Sequence, residues 1–248
     1  MKIVVNGSNG RMGRVLISMM REDPASYEIV AAVDMNNCAS GEYPMYENIR
    51  DFTGDADCII DFSHHSAAPA LCEYAAERGI PLIIATTAHT DEEKAAIVNA
   101  AKSVPVFFSA NMSLGIAVTA RLAKTAAALF PEADIEIVEA HHNRKLDVPS
   151  GTAILLGNAI KQVRTDAEFN IGRHENGKRT KNEIGIHSIR TGNVVGDHEI
   201  IIATDTQTIR IKHEAHDRAL FAEGALEAAR FLCGKPAGLY DMNSIVGE

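Results

Sequence analysis

Short apolar runs recur at residues 3–5, 28–33, 58–62, 81–85 and 104–108, each separated from the next by a longer segment. A strand with one wet face alternates polar and apolar residues, whereas a strand covered on both faces is apolar throughout. Segments 11–20, 66–78 and 91–102 between the runs have helical apolar spacing, which predicts a parallel sheet with crossover helices on both faces. Residues 1–112 are therefore expected to form an α/β domain, a Rossmann-like doubly wound parallel sheet.

The pattern changes after Asn111. Residues 114–130 read as a long Ala-rich helix, and Asp134-Ile135-Glu136-Ile137-Val138-Glu139 alternates as a half-buried strand does. Segments 183–190, 199–203 and 207–213 also alternate or run apolar, with turn signals at Gly196-Asp197 and Asp205-Thr206, favouring neighbouring antiparallel strands. A second, α+β domain with an open mixed or antiparallel sheet is expected over 113–217, its alternate face meeting either solvent or another subunit. Residues 164–181 are polar, contain Gly172 and Gly177, and read as a flexible loop beside a site. Residues 218–232 are helical again despite Gly224, and 218–248 is expected to return to the first domain.

With 248 residues, 46% of them hydrophobic, the chain can bury a large core. A formal charge of −9 and the lack of any Lys/Arg-rich run argue against nucleic acid as a partner. No apolar run approaches membrane-spanning length, and the start of the chain enters a strand pattern at once, so a cytoplasmic protein acting on small molecules is expected. Cys38, Cys58, Cys72 and Cys233 are dispersed and read as reduced packing residues. Without an HExxH or EF-hand pattern, no metal site is predicted.

Gly7-Ser8-Asn9-Gly10-Arg11-Met12-Gly13 follows the first strand and opens the first helix. Glycines there permit a tight turn and close backbone approach to a pyrophosphate held at a helix N-terminus. Asp34 ends the second strand about twenty residues on, where a carboxylate can bind the ribose hydroxyls of a dinucleotide. No Lys or Arg lies between Arg21 and Arg50 to neutralise a 2′-phosphate, which favours NADH over NADPH, although Arg11 or a distant cation could still reach it.

The densest chemistry lies in Glu139-Ala140-His141-His142-Asn143-Arg144-Lys145-Leu146-Asp147-Val148-Pro149-Ser150-Gly151-Thr152. Paired imidazoles can hold or deliver a proton near neutral pH, and Arg144 and Lys145 can hold an anion. Ser150 or Thr152 can cap the helix pattern that runs on through Val163, leaving backbone N–H groups for a small carboxylate. A solvated loop has no need of this combination, whereas a site that protonates and clamps a dicarboxylate does.

Together with Asp61-Phe62-Ser63, Ala85-Thr86-Thr87 and Ser109-Ala110-Asn111-Met112-Ser113, these motifs make nearly the whole chain resemble the 4-hydroxy-tetrahydrodipicolinate (dihydrodipicolinate) reductase family of bacterial lysine biosynthesis. The resemblance implies NAD(P)H-dependent reduction of a cyclic, unsaturated dicarboxylate to tetrahydrodipicolinate in the diaminopimelate route. It implies His141 as proton donor, Lys145 as the second catalytic group, and His142, Lys145, Ser150, Gly151 and Thr152 as carboxylate ligands. It places the cofactor on Gly7, Ser8, Asn9, Gly10, Arg11, Met12, Gly13, Asp34, Phe62, Ala85, Thr86, Thr87, Ala110 and Met112, and it implies a homotetramer built through the second sheet. Two positions depart from the pattern: Ala85-Thr86-Thr87-Ala88 stands where Gly-Thr-Thr-Gly is common, and Asn143 where a basic residue or His is frequent.

A related dehydrogenase or imine reductase for another amino-acid-derived anion is the alternative. A protein that senses NADH without turnover would not need paired His and Lys. His64 and His65 read as strand-end loop residues, His187, His198, His213 and His216 as packed or exposed strand residues, and Arg190 and Gly192 as bordering the substrate.

Overall fold

The computed structural model describes residues 1–36 and 42–247. In chain order the elements are β1 (Lys2–Asn6), α1 (Arg11–Glu22), β2 (Glu28–Val33), β3 (Met45–Tyr46), β4 (Cys58–Asp61), α2 (Ala68–Arg78), β5 (Leu82–Ile84), α3 (Asp91–Ala100), β6 (Pro105–Phe108) and α4 (Leu114–Leu129). There follow β7 (Asp134–His141), α5 (Gly151–Lys161), β8 (Glu168–Ile171), β9 (Glu183–Arg190), β10 (Gly196–Ala203), β11 (Thr208–Ala215), α6 (Ala219–Leu232), β12 (Gly238–Tyr240) and α7 (Met242–Val246). The chain forms one compact unit from Met1–Ser113 with the segment from Ala219 onward, and a second from Leu114–Arg218.

The first unit carries an all-parallel sheet in the order β12-β6-β5-β4-β1-β2-β3, a Rossmann-like arrangement. Its central strands are apolar on consecutive positions because both faces are covered. Val4, Ile59, Leu82 and Ile84 pack under Leu71 and Ala75 of α2 and Ile97 of α3, while α1 and α6 lie against each other and against the sheet. Gly224 interrupts the helical pattern of α6 for a steric reason: a Cβ there would lie 1.6 Å from the carbonyl oxygen of Met112. The short edge strands β3 and β12 and the terminal α7 were not anticipated, since two or three residues carry no period.

The second unit carries a mixed sheet in the order β11-β10-β7-β9-β8. Ile135, Ile137, Ile184, Ile186, Ile200 and Ile202 form one buried face beneath Ile116, Ala120 and Ala123 of α4 and Leu156 and Ile160 of α5. Antiparallel neighbours are found as expected for β10, which pairs with β11 on one side and β7 on the other. β9 instead runs parallel to β7, because α5 serves as a crossover and β7 occupies the sheet centre. The segment expected to be a loop contains β8, which pairs with β9. Phe169 of β8 packs over α5 at Gly157, where a Cβ would lie 2.7 Å from its ring, and this long-range fit is invisible in a polar local sequence.

Cys58 and Cys72 are buried, and burial pushes both thiols up to about 12. Cys233 is exposed rather than a packing residue, and Cys38 lies outside the described residues. Among the described residues, no helix is long and apolar enough to cross a membrane, and no group of three or more His, Cys, Asp or Glu side chains is arranged to hold a metal ion.

Candidate active site

In the first unit, the turn after β1 is tight. Gly7 has φ 77°, its N–H donates to Val33 O at 2.8 Å, and a Cβ there would lie 2.6 Å from Ser63. A Cβ at Gly13 would lie 2.2 Å from Gly7 O. Both positions therefore require glycine. Gly10 caps α1 without a side-chain bond, and the first turn holds no acidic residue, so its outward N–H groups are available to an anion.

A cleft of about 510 Å³ opens beside this turn, bordered by Gly7, Gly10, Asp34, Phe62, Ser63 and His64 among others. Asp34 accepts from the backbone N–H of Asn9 and of Asn36, both at 2.9 Å, which fixes its carboxylate at the rim. Ser8 is buried with its hydroxyl on Val33 O, so its backbone is the part turned to the loop. Arg11 is exposed and Met12 half-buried at the start of α1.

Ala85, Thr86 and Thr87 follow β5 and Ala110 and Met112 follow β6, placing them along the C-terminal edge of the same sheet. Met112 and the Thr86 side chain are buried, and Thr86 donates to Asp61 at 3.3 Å. Asp61 also accepts from Asn6, from Ser63 N and from the Ser63 hydroxyl. Burial raises its pKa, against the opposing effect of bonds from Ser63, Asn6 and Thr86.

In the second unit, the fully buried Glu139 organises the site. Two residues apart on β7, it and His141 share one face, and His141 Nδ1 lies 2.6 Å from Glu139 Oε2. Arg190, directly opposite His141 on β9, donates to both carboxylate oxygens at 2.8 Å. Ser150 N donates to the same carboxylate at 3.1 Å. Burial alone would raise the Glu139 pKa, but the bonds from Arg190, His141 and Ser150 outweigh it and hold it at about 2. An ionised carboxylate only accepts, so Nδ1 of His141 carries a proton and Nε2 is left as the exchanging nitrogen.

Ser150 is the N-cap of α5, accepting from Ala153 N at 3.1 Å, and its hydroxyl shares a 3.0 Å bond with His198 Nε2. Burial is the largest influence holding His198 down at about 4, so its ring is neutral and sits edge-on to His141 at 5.2 Å. Gly151 and Thr152 form the first turn of α5, which holds no acidic residue, and the space around the Gly151 Cα is open. Lys145 pairs with Asp147 at 2.9 Å. Among the described residues the buried Nδ1 of His142 has no bonding partner, and burial followed by the charge of Arg144 lowers its pKa. The exposed Asn143 is anchored through its backbone to Gly192 O, and Arg144 donates to Asn193.

Residues 1–112 match the family profile for the N-terminus of dihydrodipicolinate reductase, and residues 115–246 match that for its C-terminus. The chain belongs to the dihydrodipicolinate reductase family. A family member from Caldanaerobacter subterraneus subsp. tengcongensis, a 4-hydroxy-tetrahydrodipicolinate reductase, is 44% identical over 99% of this chain and 98% of its own. One from Clostridium tetani is 44% identical over 100% of this chain and 97% of its own. The solved dipicolinate-bound dihydrodipicolinate reductase from Paenisporosarcina sp. TG-14 is 25% identical, with a TM-score of 0.84 over 98% of both chains. A probable dehydrogenase from Thermotoga maritima, 11% identical over 97% of this chain and 91% of its own with a TM-score of 0.67, shares the fold.

Within this family member, sequence reasoning missed the parts played by Glu139 and His198 and gave Arg190 only a bordering position. The period-two spacing of Glu139 and His141 was a usable signal. The contacts of Arg190 and His198 were not legible, because 51 residues separate Arg190 from Glu139 and 48 separate Ser150 from His198.

Proposed function

We propose that this chain reduces 4-hydroxy-tetrahydrodipicolinate to tetrahydrodipicolinate with NAD(P)H in the diaminopimelate route to lysine. The observation that carries the reading is the Glu139–His141 pair beside the N-terminus of α5: a proton donor and a carboxylate site built into one network. The turn at Gly7–Gly13 and the Asp34 rim fit a dinucleotide, since the turn tolerates no side chain at Gly7 or Gly13 and the first turn of α1 offers free N–H groups. Bound there, the reduced nicotinamide supplies a hydride. The 4-hydroxyl of the substrate leaves as water, and the protein must provide a proton and hold two anions.

His141 delivers the proton from Nε2, the nitrogen that Glu139 leaves exchanging. Lys145, released from Asp147, balances negative charge on the ring. His142, Ser150, Gly151 and Thr152 hold the carboxylates, the last two through the open first turn of α5. NADH is preferred, because Asp34 at the rim repels a 2′-phosphate. The working protein is a cytoplasmic homotetramer joined through the half-buried alternate face of the second sheet, on which Val138 and Ile201 lie.

The test is NADH oxidation with substrate generated in place from pyruvate and aspartate semialdehyde by the preceding synthase. Rapid turnover is expected, with His141→Gln and Lys145→Ala each lowering kcat by about 10²-fold or more while NADH Kd is unchanged. Full activity in either variant would remove that residue from the chemistry. NADH binding without turnover would favour another cyclic imine as substrate.

A further inference from the structure

Glu139 is bound by groups from separate parts of the second unit. Arg190 reaches it from β9, His141 from β7 and the Ser150 backbone from the start of α5. Arg190 also donates to Asp147 O at 2.7 Å, which ties the Lys145–Asp147 segment to the same point. A carboxylate placed merely to neutralise Arg190 would need neither the imidazole nor the helix-start amide. Gly196 adds to the fit: a Cβ there would lie 3.0 Å from His141 Nε2, so the β10 backbone leaves that nitrogen room.

We infer that Glu139, clamped by Arg190, is a positioning residue that holds His141 in the Nδ1–H form and locks it in register with the carboxylate-binding start of α5. This deepens the proposed function and rests on its assignment of His141 as proton donor. The neighbouring ionisable groups are Glu139 on β7, Arg190 on β9, His198 on β10, and His142, Lys145 and Asp147 on the loop after β7. His198 is neutral, and burial followed by the charge of Arg144 lowers the pKa of His142 as well.

The experiment compares Glu139→Gln, Arg190→Met and the double variant E139Q/R190M with His141→Gln and the parent, measuring kcat, NADH Kd, thermal midpoint and the pH dependence of kcat/KM. Glu139→Gln is expected to lower kcat at least about tenfold with NADH Kd unchanged, and to alter the pH profile of kcat/KM. Each single variant strands a buried polar partner and loses stability, and the double variant recovers it. A purely structural pair would recover activity along with stability; the positioning role predicts recovered stability with kcat still depressed and the pH profile still altered. Nitrogen-15 NMR of the parent is expected to show His141 protonated at Nδ1 when neutral, and an Nε2–H tautomer would overturn the inference even if the variants do not fold. An inactive His141→Gln beside a fully active Glu139→Gln overturns the inference alone. An active His141→Gln overturns the underlying reading instead.

Discussion

Ala88 holds φ 66°, a left-handed conformation that an L side chain rarely adopts. Its family pattern favours glycine there, and the exposed methyl has little packing to offer in return. The conformation costs about 1 kcal/mol, roughly half of which glycine gives back through its freer unfolded chain. Ala88→Gly is therefore expected to raise the thermal midpoint slightly, and a fall would mean that the methyl makes a contact worth more than the strain. His198 sets a pH dependence. Its pKa is held at about 4 against an ordinary 6.5, so the unfolded chain binds the extra proton first. The stability contribution of the neutral ring is complete above 6.5 and is lost as pH falls toward 4. Glu139, held at about 2 against 4.5, extends the loss to lower pH with the same sign. Urea unfolding of His198→Gln should show a flatter decline between pH 6.5 and 4 than the parent, and an equal slope would assign that decline to other groups.

At the scale of elements, close approach matters as much as apolar pattern. α6 reads as an amphipathic helix weakened by Gly224, yet that glycine is what lets the helix lie against the Met112 carbonyl. A rigid backbone oxygen cannot yield as a side chain can, so Gly224→Ala is expected to cost about 2 kcal/mol or more through displacement of α6. A stability within error of the parent would show that the segment after β6 moves freely. The same logic explains what could be read and what could not. Consecutive apolar residues in β1, β4 and β5 announced a sheet covered on both faces, and alternation announced β7. β8 escaped because its reason for existing is Phe169 over Gly157, a contact between remote segments. The neighbour of β9 was misjudged because alternation reports which face is buried and says nothing of which strand lies alongside.

For the molecule as a whole, folding and cofactor binding are linked. A ligand that binds only the folded state adds about 2.7 kcal/mol at a hundred times its Kd. NADH at that excess is expected to raise the unfolding midpoint by several degrees, and Asp34→Ala to reduce the NADH shift while preserving the NADPH shift. Equal losses for both nucleotides would remove Asp34 from cofactor choice. The sequence by itself determined the two-part organisation, the glycine turn, the Asp34 rim and the His141–Thr152 cluster, since periodicity and turn chemistry act over a few residues. Only the tertiary structure decided that Arg190 and His198 converge on Glu139 and Ser150 from β9 and β10. Strand order and register place those side chains, and both follow from how helices and strands distant in the chain fill one core.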